Sequence, residues 1–276
     1  RGPRVRELWH QSLPFVAIMV VVTLYGRLDV LVLYPVWGED EVGVYSASLR
    51  VVNVFVIAIQ CFVAALYPLL SKSFNETHTE LLAFTRRALK HVLLVTIPVS
   101  ATVSILAREI ATLLFGGEHF EVSGEVLALQ AWLPVPYAVT VIQAYSLLAR
   151  GRQRVDLAVN VIGTVVLAIL TLLLIPRFGA MGTAVATLAA TVIYLCVQTP
   201  LAGVLHWPHR RQWPRIASVA LATILLAALG YLTPISAPLR ALAALTGYIL
   251  LMVLLRPLDT SDLDIVRSLL RRRALP

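Results

Sequence analysis

The sequence predicts an all-α, polytopic membrane protein of about eight transmembrane helices, and three observations carry that prediction. Of its 276 residues, 59% are hydrophobic and only 14% charged, whereas an average soluble domain holds roughly 25% charged residues. Apolar runs long enough to cross about 30 Å of hydrocarbon as a helix recur along the chain, and the mean hydropathy is +0.83. The cations alternate between connections. Residues 1–11, 71–91, 150–156, 206–215 and 256–276 hold 18 of the 23 Lys and Arg, while 37–42, 108–125, 176–182 and 233–240 together hold 3. By the positive-inside rule both chain ends and the basic connections are expected in the cytoplasm, the chain lying in the inner or plasma membrane. The net charge of +8 is thus spread over five segments instead of forming one basic face, so no nucleic-acid partner is expected.

The predicted spans are 13–36, 43–70, 88–107, 126–149, 157–175, 179–204, 216–233 and 239–255. The first contains Arg27 and Asp29 in an otherwise apolar run. A charge at the bilayer centre costs roughly 2.5–3.5 kcal/mol on insertion scales, so both are expected to face protein or water. Two positions apart on a helix, they point about 160° apart. In the second span Ser46, Arg50, Asn53 and Gln60 recur at offsets of 0, 4, 7 and 14, with Tyr67 seven further on. They make one helical face, which must turn away from lipid. Asp29 lies eight residues before Trp37 and Arg50 eight after Val42. At 1.5 Å per residue both sit about 12 Å below the outer boundary of adjacent antiparallel helices, so an ion pair between them is expected. Arg27, about 15 Å deep at the same rise, is left to bind an anion.

Pro14, Pro98, Pro134 and Pro136 interrupt the first, third and fourth spans, and such breaks are tolerated where freed backbone groups face neighbouring helices or a hydrated cavity. Tyr137, Thr140 and Gln143 in the fourth span, with Asp156, Asn160, Gly163 and Thr164 in the fifth, are candidates to face that cavity. Gln143 and Asn160 fit interhelical hydrogen bonding equally well. In 177–195, Gly182, Ala186 and Ala190 repeat every four residues, as do Thr183, Thr187 and Thr191; such small faces let helices approach closely. The outward GEDEVG at 38–43 reads as solvation of a short loop. Cys61 and Cys196 read as small apolar residues, two thiols being too few for a disulfide framework or a four-ligand metal site. Residues 77–91 and 258–273 read as amphipathic helices along the cytoplasmic interface. The chain has no GxxxxGK[ST], HExxH or GxSxG motif, so neither an enzyme nor a cofactor is expected.

RLDVLVLYPVWGEDEVGVYSASLRV (27–51) and ALYPLLSK (65–72), with LLFGGEHF (113–120), LLARGRQRVDLAVNVIG (147–163) and LLIPRFGAMGTAVAT (173–187), resemble the Wzx-type polysaccharide flippases of the multidrug/oligosaccharidyl-lipid/polysaccharide exporter superfamily. The resemblance implies that 1–205 forms a six-helix C-terminal lobe, 206–256 two additional helices and 257–276 a cytoplasmic amphipathic tail. A first six-helix lobe would then lie upstream, as the opening at Arg1 without a start methionine also suggests. It further implies a flippase that carries an oligosaccharide on an undecaprenyl diphosphate carrier from the cytoplasmic to the outer leaflet by alternating access, for polysaccharide or lipopolysaccharide of the cell envelope. Arg27, Asp29, Arg50, Asn53, Gln60, Gln143 and Asn160 are the expected contacts to that substrate, with membrane lipid the other partner. Moving two negative charges outward across an inside-negative membrane is favoured by roughly 4–5 kcal/mol per 100 mV. A peptidoglycan-precursor flippase, a drug exporter of the same superfamily, and a membrane enzyme or assembly subunit with catalytic groups elsewhere are the alternatives.

Overall fold

Asp29 and Tyr45 are sixteen residues apart on one continuous helical stretch, which would place them about 24 Å apart if it were straight. In the computed structural model they are hydrogen-bonded at 2.5 Å. The stretch therefore doubles back, and it does so at Gly38, whose φ of 78° is the left-handed conformation that glycine adopts without a Cβ penalty. A second stretch folds the same way at Gly179, where φ is 53°. There the position of a Cβ on Gly182 would fall 2.5 Å from the carbonyl oxygen of Leu174, and one on Gly163 would meet the ring of Tyr194. Both approaches are possible only between two antiparallel arms.

The structure describes residues 2–76, 78–116 and 121–202, and beyond these only 239, 242–243 and 246–247; the side chains of 1–11, 14, 67–82 and 121 are left aside. The chain divides into two units, Arg1–Trp207 and Pro208–Pro276. The first consists of α1 (Gly2–Tyr25), α2 (Leu28–Glu76), α3 (His78–Ile105), α4 (Ala107–Phe115), α5 (Glu121–Gln130), α6 (Pro134–Ala149) and α7 (Gln153–Leu201). Among the described residues it is all helical. The spans expected at 216–233 and 239–255 and the tail at 257–276 lie outside the described residues, apart from isolated helical positions between 239 and 247.

Among the described residues four stretches are long and apolar enough to cross a membrane: Phe15–Leu66, Ala83–Ile105, Val122–Ala149 and Gln153–Leu201. The first and last hold 52 and 49 residues, about 75 Å of helix, enough for two crossings each once folded at Gly38 and Gly179. The expected span 13–36 is itself broken. Gly26 and Arg27 form a turn between α1 and α2, where the amide of Arg27 bonds three residues back to Leu24 before the ladder resumes from Leu31 to Arg27. The two prolines of LPVPY mark a similar break, since Ala131–Leu133 is a turn and Pro134 starts α6. Pro98, by contrast, lies inside α3 without ending it.

Among the described residues three buried clusters hold the unit together. Ile59 and Val63 of α2 pack with Leu89 and Val92 of α3 and Ile142 of α6. Val52 joins Val103, Ala107 and Leu127, and Leu33 and Tyr45 meet Val126, Ile175 and Ala184 around the two hairpin turns. Elsewhere apolar side chains point outward, as at Phe15, Met19 and Val20 of α1 and Leu172 and Leu173 of α7, which suits a solvent of lipid tails. The small face of α7 is used as its spacing predicts, with Ala186 and Ala190 fully buried.

The turns at Gly38 and Gly179 also clasp each other. Trp37 Nε1 donates to the carbonyl of Ile175 at 2.7 Å, and Glu41 Oε2 accepts from the amide of Ala180 at 2.8 Å. That amide opens a helical arm and has no carbonyl of its own arm to bond, and a carboxylate suits the positive end of the arm's dipole. Glu41 is thus a cap between hairpins and not only a solvating charge of a short loop. The cation pattern expects these turns to lie outside the cell. In a background lacking Cys61 and Cys196, Glu39→Cys is expected to react with an impermeant maleimide on intact cells and Arg152→Cys is not; the opposite labelling would overturn that orientation.

Candidate functional site

α1, the second arm of α2, α6 and both arms of α7 line a cavity of about 550 Å³. Its polar wall comes from Gln60, Tyr137, Thr140, Asp156, Asn160 and Thr191. Tyr25, Tyr145 and Tyr194 add aromatic faces, with Ile18, Val22 and Leu148 among the apolar remainder. Among the described residues no lysine, arginine or histidine lines it.

Each polar group is placed by its helix. Gln60 on α2 reaches across to α6, its Nε2 donating to the hydroxyl of Tyr137 at 2.6 Å. At the end of α1, Tyr25 shares a 3.0 Å hydrogen bond with Thr191 and holds its ring 6.4 Å from that of Tyr194, tilted by 60°. Thr191 in turn donates to the carbonyl of Thr187, as Thr187 does to Thr183 and Thr183 to Gly179, so the threonine stripe satisfies itself along its own helix. The Tyr194 ring fits only because residue 163 is glycine; a Cβ there would stand 2.2 Å from Tyr194 Cδ2.

Asp156, in the first turn of α7, is 2% exposed. Asn160 one turn later donates its Nδ2 to Asp156 Oδ2 at 3.2 Å and to the Asp156 carbonyl at 2.8 Å. Asp156 Oδ1 is buried without a hydrogen-bond partner among the described residues. A buried acceptor left in that state costs about 1–3 kcal/mol, a cost that a ligand donor can remove. Beside the cavity, Arg150 links α6 to the end of α7 by donating to the carbonyl of Ala202 at 2.8 Å. Burial, and to a smaller degree neighbouring Arg152, hold its guanidinium below the usual arginine pKa.

Of the residues expected to contact substrate, Gln60 and Asn160 line the cavity, joined by Tyr137, Thr140 and Asp156. Gln143 does not. It is 1% exposed and donates to Thr199 on α7 at 3.2 Å, which makes it an interhelical tie. Asp29, 5% exposed, also lies outside the cavity. Its expected ion pair with Arg50 is absent: Oδ2 accepts from Tyr45 at 2.5 Å and Oδ1 from the amide of Val30 at 2.8 Å, while Arg50 is exposed. The depth argument brought the right two arms together but not the right faces, since Tyr45 and Arg50, five residues apart, point about 140° apart. Arg27, Arg50 and Asn53 are exposed and outside the cavity wall. Arg50, Asn53 and Gln60 share one face of α2, so the exposed face that bears Arg50 meets the cavity edge at Gln60. Tyr25 and Tyr194 were missed, and the signal that could have found them is the spacing of Gly163 from Tyr194 about the Gly179 turn.

Comparison with known proteins places the fold. The family described as lipid II flippase MurJ matches residues 44–254. Over 225 residues the chain is 24% identical to the probable low-salt glycan biosynthesis flippase Agl15 of Haloferax volcanii, covering 80% of this chain and 48% of that one. A solved structure of lipid II flippase MurJ in an inward closed conformation matches with a TM-score of 0.76 at 16% identity, over 93% of this chain and 56% of that one. At that identity the likeness is one of fold. The chain spans about half the length of these relatives.

Proposed function

Because the chain belongs to the lipid II flippase MurJ family, which matches 44–254 of it, we propose that it forms one half of a flippase that carries a lipid-linked saccharide from the cytoplasmic to the outer leaflet. Its relatives are flippases, not enzymes, and the chain is a helical membrane protein. The observation that carries the reading is a hydrogen-bonding cavity between membrane-length helices, continuous through Gln60 with an exposed face bearing Arg50 and Asn53. Lipid tails need no such cavity, and a small apolar drug needs fewer polar groups.

The substrate class is an oligosaccharide on a polyprenyl diphosphate, as the polysaccharide flippases transport. A second reading, a peptidoglycan precursor on the same kind of carrier, is favoured by the family match itself. Both need a cation for the diphosphate. Arg27 serves as that cation in the proposal: it is exposed at the break between α1 and α2, where it has no ion-pair partner among the described residues. A helix interrupted at membrane depth is a common place for a transporter to bind its substrate.

The test is flipping by the full-length protein in liposomes, with a lipid-linked oligosaccharide and lipid II in separate arms. Arg27→Gln is expected to lower transport at least tenfold without lowering the amount of protein, as losing a charge-assisted contact of about 1.5–3 kcal/mol would. Arg27→Lys should retain part of it. Wild-type protein that moves neither lipid overturns the proposed function. Normal transport by Arg27→Gln instead removes the arginine from the headgroup site and directs attention to Arg50.

A further inference from the structure

The cavity and the exposed arginines carry opposite chemistry. Among the described lining residues Asp156 is the one carboxylate, and no cation stands beside it in the wall. A diphosphate would meet a negative charge there with nothing to neutralise it. The rest of the wall consists of amides, hydroxyls and tyrosine rings. Gln60 and Asn160 present amide oxygens as acceptors, the Asn160 Nδ2 being already given to Asp156, and the hydroxyls of Tyr25, Tyr137 and Tyr194 both donate and accept. A neutral polyol matches such a wall, because each of its hydroxyls donates once and accepts twice while its C–H faces pack flat on aromatic rings. At about 550 Å³ the cavity also falls in the range of roughly 300–1,000 Å³ typical of small-ligand sites.

We propose that Asp156, Asn160 and Tyr194, facing Gln60 and Tyr137, form a saccharide subsite that holds the sugar of a lipid-linked glycan while its phosphates remain outside, on the arginine-bearing face. The proposal rests on the flippase reading above. Within the subsite Asp156 accepts from a sugar hydroxyl. Its Oδ1 is buried and has no partner among the described residues, while Oδ2 is already engaged by Asn160, which leaves Oδ1 as the free acceptor. Asn160 fixes the carboxyl group from one turn away, and the rings of Tyr25 and Tyr194, tilted 60° to each other, each offer a flat face. Gly163 sets how far the Tyr194 ring stands back from the cavity.

The sugar and the phosphate can be separated by measuring affinity for two lipids with the full-length protein in nanodiscs: lipid-linked oligosaccharide extracted from membranes of the source cell, and the bare polyprenyl diphosphate. Wild-type protein is expected to bind the glycosylated lipid more tightly. Asp156→Leu should weaken that binding at least tenfold and leave affinity for the bare diphosphate unchanged, and Asp156→Asn, which keeps one acceptor oxygen, should recover part of the loss. Gly163→Ala, which leaves the carboxylate intact but displaces the Tyr194 ring, should likewise weaken only the glycosylated lipid; it gives the same readout if Asp156→Leu does not fold. Wild-type protein that binds neither lipid overturns the flippase reading and the subsite with it. Binding of both lipids with equal affinity by wild type, or variants that weaken both equally or neither, overturns the subsite alone.

Discussion

Gly182→Val is expected to leave little or no folded protein in the membrane. A Cβ at this position would stand 2.5 Å from the carbonyl oxygen of Leu174, and 2.9 Å from both its carbonyl carbon and Phe178 Cβ. These are mostly backbone atoms of the opposite arm of the same hairpin, so no rotamer change relieves the clash and the two arms must separate. Overpacking in a well-packed core typically costs about 1–3 kcal/mol and sometimes more, against a total stability of about 5–15 kcal/mol. Separating the arms also pulls Ala180 from Glu41 and Ile175 from Trp37, adding lost hydrogen bonds to the steric cost. Gly43→Ala is the control, since nothing lies within 4 Å of a Cβ there. The measurement is membrane yield together with monodispersity after extraction; equal behaviour of Gly182→Val and Gly43→Ala would refute the close approach of the arms.

Tyr45→Phe is expected to lower stability by about 1.5–3 kcal/mol, the usual worth of a hydrogen bond to a charged group. The substitution keeps the ring and its packing against Leu33 and Ile175, yet leaves Asp29 Oδ2 buried without its donor. Thr187, whose hydroxyl lies 3.4 Å from that of Tyr45, already donates to Thr183 and does not replace it. Arg50→Gln is expected to change stability little, because Arg50 is exposed and makes no ion pair with Asp29. Thermal unfolding of both variants in one detergent orders them. A larger loss for Arg50→Gln than for Tyr45→Phe would restore Arg50 as the partner of Asp29.

The expected pair between Asp29 and Arg50 shows how much of the site the sequence made legible. Counting residues from a turn gives depth, and depth correctly set residue 29 against the arm that carries 45 and 50. The facing residue depends on the azimuth of each arm, which the turn at Gly38 resets and which no periodicity within one helix records. For the same reason Gln60 and Asn160 were legible as polar positions on one-sided stripes, and both reach the cavity. Gln143 is equally polar and equally periodic, but the neighbouring arm of α7 offers it Thr199 and closes it off. Tyr25 and Tyr194 carry no polar signal in a membrane sequence, since an aromatic ring in an apolar run reads as packing until a neighbour is known.

The sequence by itself determined the solvent and the class of the fold. Sparse charge, apolar runs of membrane length and an alternating cation pattern are sums over many residues, so they survive any rearrangement of the parts and require helices in a bilayer. Only the tertiary structure decided where the chain reverses within an unbroken helical stretch, and which faces then meet. Those outcomes rest on single residues whose effect is not local. Gly38 and Gly179 each turn one 49-residue helical element back on itself, and the two arms so apposed pair Asp29 with Tyr45 and set Tyr194 against Gly163. A membrane offers little hydrophobic force between helices, so the choice among possible appositions falls to close backbone contact and to satisfied hydrogen bonds, both of which exist only once the arms have met.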